Sequence, residues 1–310
     1  MNGARYAYLK RLCNNAADNR DIFIVSADYA APVFDDFKRD YPKQFISVGI
    51  AEQNLISVSC GLAMAGKHTV AYGLSPFPVL RAYDQIKCAL ANMSLPVSIA
   101  VAGAGYSEYG ITHSNTEDIS LMRTIPNVRI ITPTDNIMGK AVADFSRVSN
   151  MPIYVRFDKN SEGCIYSEHN IDFNKGFEVL REGNDVVVIT CGWFTIHMLE
   201  LAKHWASEGI NARIIDLYSL PCDYKALFGL INDSPVITVE DHILQGGIGS
   251  ALIETLNREN MNINITRMGI DYAGAYPHVA GDKEYFNKLF GLSDEDITRT
   301  VKTVIQGKNK

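Results

Sequence analysis

The sequence predicts an α/β protein built as two doubly wound domains in series, and three observations carry that expectation. Short runs rich in β-branched and aromatic residues recur along the chain, with stretches of helical period between them. These runs are continuously apolar instead of alternating, which is the pattern of parallel strands covered on both faces by helices. A polar stretch, DKNSEGCIYSEHNIDFNKG at 158–176, interrupts the rhythm near mid-chain, after which it resumes. At 310 residues the chain is long enough for about two domains, each with its own core. The expected boundaries are a first domain over 1–165, a linker over 166–180 and a second domain over 181–310.

Taken in order, the N-terminal MNGARYAYLKRLCNNAADNRD reads as an amphipathic helix and not as a secretory leader. First-domain strands are expected at IFIVSAD (22–28), FISVGI (45–50), HTVAYG (68–73), VSIAVAG (97–103), VRIITPTD (128–135) and IYVRF (153–157). Second-domain strands follow at DVVVITCG (185–192), RIIDLYSL (213–220), PVITVED (235–241) and NINITRMGI (262–270), with a helix over TIHMLELAKHWASEG (195–209). No low-complexity tract or fixed-period repeat is visible.

Composition narrows the function classes. The chain is 47% apolar and 21% charged, and its formal net charge of -6 comes with no basic block, so nucleic acid is not an expected partner. No apolar run approaches membrane-spanning length, so no membrane association is expected either. The six cysteines (Cys13, Cys60, Cys88, Cys164, Cys191, Cys222) show neither CxxC nor Cys/His metal spacing. They read as reduced, buried thiols of a cytoplasmic protein.

Four positions carry candidate chemistry. Glu52 stands where a β-branched run gives way to small and apolar residues at helical spacing, in FISVGIAEQNLISVSCGLAMAG (45–66). It reads either as a first-turn acid meeting the helix dipole or as a buried acid whose pKa burial raises for a chemical task. Phe77 follows a strand and precedes a helix, which places its ring either at the carboxyl edge of the sheet, suited to stacking on a heteroaromatic ring, or in the core. His113 is a lone imidazole in the Gly, Ser and Thr-rich GAGYSEYGITHSNTEDISLMRTIPNV (103–128), as an exposed loop residue or a proton donor near a ligand. Arg156 ends a strand, where it forks onto a phosphate or makes a structural ion pair. GGIGS at 246–250 has the wrong spacing for a phosphate cradle and reads as close helix–strand packing with a subunit interface.

In combination these segments resemble one family. VGIAEQN (48–54), SPFPVLRAYDQI (75–86), GITHSNTEDISLMRTIPNVRIITPTD (110–135) and VEDHILQGGIGS (239–250) occur in the order and spacing of the transketolase-like thiamine-diphosphate enzymes. The chain resembles the C-terminal half of transketolase and of 1-deoxyxylulose-5-phosphate synthase, from the pyrimidine-binding domain through the C-terminal domain. The resemblance implies that Glu52 hydrogen-bonds N1′ of the cofactor's aminopyrimidine and favours the tautomer that deprotonates C2 of the thiazolium. It further implies that Phe77 stacks on the pyrimidine and that Asp28, in VSADYA, is the acid near the cofactor. His113 would reach the substrate carbonyl or its hydroxyl neighbours, and Arg156 and Arg81 would bind the far phosphate of a sugar.

Two departures from the family pattern bear on function. The family's DGxTH loop reads YGITH here, so Tyr109 stands in place of a carboxylate, with Glu108 beside it; a modified-sugar acceptor is the expectation this raises. The GDG motif that holds Mg²⁺ and diphosphate in the family is absent, and the nearest string, GDKEYF at 281–286, follows the last clear strand and lacks the downstream Asn pair. The resemblance therefore implies half a site, completed by a separate N-terminal, diphosphate-binding subunit that supplies the Mg²⁺ ligands in an α2β2 assembly. The competing expectations are the β subunit of a 2-oxo acid dehydrogenase E1 component, a synthase-like condensation of pyruvate with an aldehyde, and a noncatalytic paralogue.

Overall fold

A computed structural model describes residues 3–29, 31–158, 163–167, 171–231 and 234–308. The chain resolves into two compact units, residues 1–104 with 121–171, and residues 105–120 with 172–310. Of the stretch expected as a linker, residues 168–170 lie outside the described residues.

In the first unit, six strands pair in parallel in the order β5-β6-β4-β3-β1-β2. They are β1 (Ile22–Ser26), β2 (Phe45–Ser47), β3 (His68–Leu74), β4 (Val97–Ala102), β5 (Arg129–Ile131) and β6 (Ile153–Phe157). Strands β4 and β6 are buried at every position, as their unbroken apolar sequences require. Helices α1 (Ala4–Asp18), α2 (Val33–Asp40), α3 (Glu52–Met64), α4 (Tyr83–Gln85), α5 (Asp118–Arg123) and α6 (Asn136–Val148) connect them. On either side of α4 the chain winds in wide turns over Phe77–Arg81 and Ile86–Ala91. The expected strand at 128–135 is shorter, Arg129–Ile131, and its last expected residue is a helix cap. Asp135, fully buried, accepts from Met138 N at 2.8 Å and from the Ile165 and Tyr166 N–H groups at 2.6 and 2.8 Å.

The second unit carries β7 (Glu178–Arg181), β8 (Val186–Thr190), β9 (Ala212–Asp216), β10 (Ser219–Leu220), β11 (Val236–Ile243) and β12 (Ile265–Ile270). Five of these form a sheet in the order β12-β11-β8-β9-β7, parallel except for the antiparallel pair β7–β9. Strand β7 is half-buried throughout, so it lacks the apolar run that revealed the others. Its helices are α7 (Trp193–Ser207), α8 (Tyr224–Gly229), α9 (Ile248–Arg258), α10 (Lys283–Leu289) and α11 (Asp294–Lys308). Phe194, Met198 and Trp205 of α7 pack with Val188, Ile214, Ile237, Ile297 and Val301 into one apolar cluster. Burying each such side chain contributes about 1.5–3 kcal/mol.

None of the six cysteines is in a disulfide. Burial is less general than the sequence suggested: Cys60 and Cys191 are buried, Cys13 and Cys222 half-buried, and Cys88 and Cys164 exposed. Cys88 shows why, since it lies on the outward side of the 86–91 coil, where it donates to Asp84 at 3.3 Å.

Candidate functional site

In the first sheet, strand order reverses between β1 and β3, and the carboxyl ends of the strands around such a reversal form the crevice in which open α/β sheets place ligands. Asp28 follows β1, Glu52 opens the helix after β2, Phe77 follows β3 and Arg156 lies near the end of β6. Four candidate positions from separate stretches of sequence thus belong to one edge of one sheet.

Glu52 is the first residue of α3 and is 3% exposed. It is a first-turn acid at the positive end of the helix, and its carboxylate is buried. Among the described residues its hydrogen-bond partner is Arg81, whose Nη1 donates to Oε2 at 2.5 Å. The Arg81 guanidinium also lies over the Phe77 ring, 5.1 Å from its centroid. The sequence did not reveal this pairing, although residues 77 and 81 stand four apart, which puts them on one face of a helical stretch. Phe77 is half-buried, and Asp28 is exposed with a left-handed φ of 51°. Arg156 is 1% exposed, so its cation is held inside the protein.

His113 lies in a different element, the 105–120 segment of the second unit. It ends a single turn of 3-10 helix, Ile111–His113, and its Nδ1 faces Thr112 Oγ1 at 3.0 Å. Tyr109 meets the His113 ring edge-on, with centroids 5.9 Å apart, while Tyr109 and Glu108 are both exposed. Within the segment Gly105 and Asn115 exchange two backbone hydrogen bonds at 2.9 Å, closing the loop. Gly105 has φ 77°, and a Cβ there would collide with the Asp241 carboxylate, so only glycine fits.

The GGIGS stretch is occupied by the protein's own anion. Glu240, fully buried on β11, accepts from Ile248 N at 2.7 Å and Gly249 N at 3.1 Å, at the start of α9. Gly247 lacks the Cβ that would overlap this carboxylate. The N-terminal amides that a phosphate would need are therefore already bonded. Among the described residues no group of three or more His, Cys, Asp or Glu side chains is gathered as the ligands of a metal ion, and no helix is long and apolar enough to cross a membrane.

Comparison with known proteins gives two family matches, "Transketolase, pyrimidine binding domain" over residues 3–162 and "Transketolase, C-terminal domain" over residues 176–297. The chain is 31% identical to an apulose-4-phosphate transketolase subunit of Actinobacillus succinogenes, over 84% of this chain and 85% of that protein. It is 31% identical to the 6-deoxy-6-sulfo-D-fructose transketolase subunit SqwH of Clostridium sp. strain MSTE9, over 98% of this chain and 95% of that one. Among solved structures, "Split gene transketolase, inactive beta4 tetramer" superposes with a TM-score of 0.87 at 31% identity, covering 99% of both chains.

Proposed function

Because this chain belongs to the transketolase family of thiamine-diphosphate-dependent transferases, we propose that it is the C-terminal subunit of a split transketolase. In that reading it helps move a two-carbon ketol unit from a ketose or ketose-phosphate donor to an aldose or modified-sugar acceptor. The observation that carries the chemistry is Glu52, a carboxylate 3% exposed at the carboxyl edge of a doubly wound sheet, bonded through Oε2 and flanked by a half-buried aromatic ring. These residues fit an aminopyrimidine, which offers a ring nitrogen to a carboxylate and a flat face to a ring. The chemistry supplied by bound thiamine diphosphate is a carbon nucleophile able to cleave a ketose carbon–carbon bond.

The chain's own residues then do the following. Glu52 holds the proton shared with N1′ of the pyrimidine, Phe77 orients the ring by stacking, and Asp28 adds an acid at the neighbouring strand end. His113 donates to the substrate carbonyl or its hydroxyl neighbours, while Glu108 and Tyr109 contact its hydroxyls. Arg81, whose side chain is 49% exposed, would bind its far phosphate, with the buried Arg156 as the second candidate for that role. Tyr109, in place of the usual carboxylate, supports a modified sugar, in keeping with the substrates in the names of the two subunit relatives.

A separate N-terminal subunit carrying the GDG half would supply the Mg²⁺ ligands and the diphosphate site, giving an α2β2 heterotetramer. Support comes from relatives named as subunits and from a solved relative named "Split gene transketolase, inactive beta4 tetramer". The same proposal places the protein in the cytoplasm, consistent with six cysteines outside any disulfide, and divides it into a pyrimidine-binding domain (1–165), a linker (166–180) and a C-terminal domain (181–310). The test is reconstitution with such a subunit, assayed in parallel with ketose phosphates plus a panel of modified aldoses, with pyruvate plus an aldehyde, and with a lipoyl domain. Ketol transfer by the pair and none by either chain alone is expected. Tight Mg²⁺-dependent cofactor binding by the isolated chain would remove the split-enzyme reading, and lipoyl acylation would transfer the assignment to an E1 β subunit.

A further inference from the structure

In the second sheet, strand order reverses between β8 and β11, so this unit has its own ligand crevice at the carboxyl ends of its strands. That crevice is filled by the 105–120 segment. Ile243 N donates to Thr116 O at 2.8 Å, and the His242 ring, with Nδ1 directed at Ile243 O at 2.7 Å, meets Ser120 N through Nε2 at 3.2 Å. Ser120 Oγ donates to Gln245 O. Tyr106 stacks on Phe286 and Phe290 of α10 and the turn after it, at centroid distances of 4.9 and 5.6 Å.

Beyond this apolar bed, two phenols from the Asp271–Tyr276 turn reach the segment beside His113. Tyr272 OH bonds Thr116 Oγ1 at 2.8 Å, and Tyr276 OH donates to Glu117 Oε1 at 3.0 Å. The two rings brace each other at 4.8 Å, and Tyr272 packs edge-on against Phe290 at 5.5 Å. Glu117 in turn takes the Thr116 N–H and hydroxyl through Oε2, at 2.9 and 3.0 Å. The turn therefore grips both residues that follow Asn115, the point at which the His113 loop closes on Gly105.

We propose that Tyr272 and Tyr276 are positioning residues that fix the His113 loop, so that the C-terminal domain sets substrate affinity from outside the substrate site. The functional half of this rests on the reading of His113 as a substrate contact. Neither phenol touches His113; each acts through Thr116 and Glu117.

Tyr272→Phe combined with Tyr276→Phe removes both hydroxyls and keeps both rings. In the full chain, amide exchange at 106–117 is expected to accelerate about thirty- to two-thousandfold, as follows from losing two hydrogen bonds, one of them to a carboxylate. Exchange in α7 and β8 stays unchanged. In the reconstituted pair, KM for the sugar rises about tenfold, while affinity for thiamine diphosphate holds, since the phenols lie on a loop that bears none of the cofactor-binding candidates. Wild-type exchange at 106–117 overturns the proposal, and so does faster exchange with an unchanged KM. Equal acceleration throughout the second unit also overturns it, because the phenols would then be serving stability alone. If the wild-type pair turns over no ketose with any acceptor, the transketolase reading fails, and the exchange result still decides whether the turn fixes the loop.

Discussion

Replacing Glu240 with glutamine isolates the energetic role of the carboxylate inside the glycine-rich helix entry. The native group is fully buried and takes two backbone N–H groups, from Ile248 and Gly249. Each bond to a charged acceptor contributes about 1.5–3 kcal/mol, and a negative charge at a helix N-terminus adds about 0.3–1 kcal/mol. The amide keeps one acceptor oxygen for one N–H and turns its NH₂ towards the other. The expected cost of Glu240→Gln is therefore about 2–4 kcal/mol. Both tryptophans of the chain, Trp193 and Trp205, lie in the second unit, so tryptophan-selective fluorescence follows the unfolding of that unit. With a urea m-value of about 2 kcal/mol/M, the midpoint should fall by about 1–2 M. A shift below about 0.3 M at unchanged m would refute the account and leave the helix entry open to an outside anion.

Two further outcomes follow. Glu52→Gln should cost the reconstituted pair at least about a hundredfold in turnover, while the thermal midpoint of the isolated chain stays near wild type because the amide oxygen still accepts from Arg81; near-normal turnover would remove the proton-sharing role. Burial pushes the Tyr272 hydroxyl up to about 12 and raises Tyr8 and Tyr72 above their ordinary value. Between pH 10 and 12 the folded chain therefore holds protons that the unfolded chain releases, so the stability these tyrosines contribute is complete below pH 10 and is lost as pH rises towards 12. Melting temperatures should accordingly decline from pH 10 to 11.5, and a flat profile would contradict the assignment.

The legible parts of this protein were those written in local pattern. Continuous apolar runs located β1, β3, β4, β6, β8 and β11, because a strand covered on both faces has no polar side to alternate with. Strand β7 escaped notice because an antiparallel edge strand that is half-buried throughout carries no such run. Glu52 and Phe77 stood out because each falls at a strand-to-helix junction, where an acid or an aromatic ring is conspicuous. What sequence concealed was long-range pairing. Thr116 meets Tyr272 and Glu117 meets Tyr276 across more than 150 positions, and nothing local at either end marks the partner. The Glu240 plug was hidden for a related reason, since a buried acid eight residues before a helix resembles any other until the chain doubles back.

The guanidinium on Glu52 has a consequence for whatever ring the crevice receives. A planar cation seated on a carboxylate and against the face of Phe77 already has the flatness, charge and bonding pattern of a protonated nitrogen heterocycle. An incoming heterocycle competes with this internal tenant for the same two surfaces and gains only the difference. Because the Arg81 side chain is 49% exposed, the guanidinium has solvent to turn into once displaced, while Glu52, at 3% exposed, needs the incoming ring to take its place. Arg81 thus gives the buried carboxylate a counter-charge from within the chain.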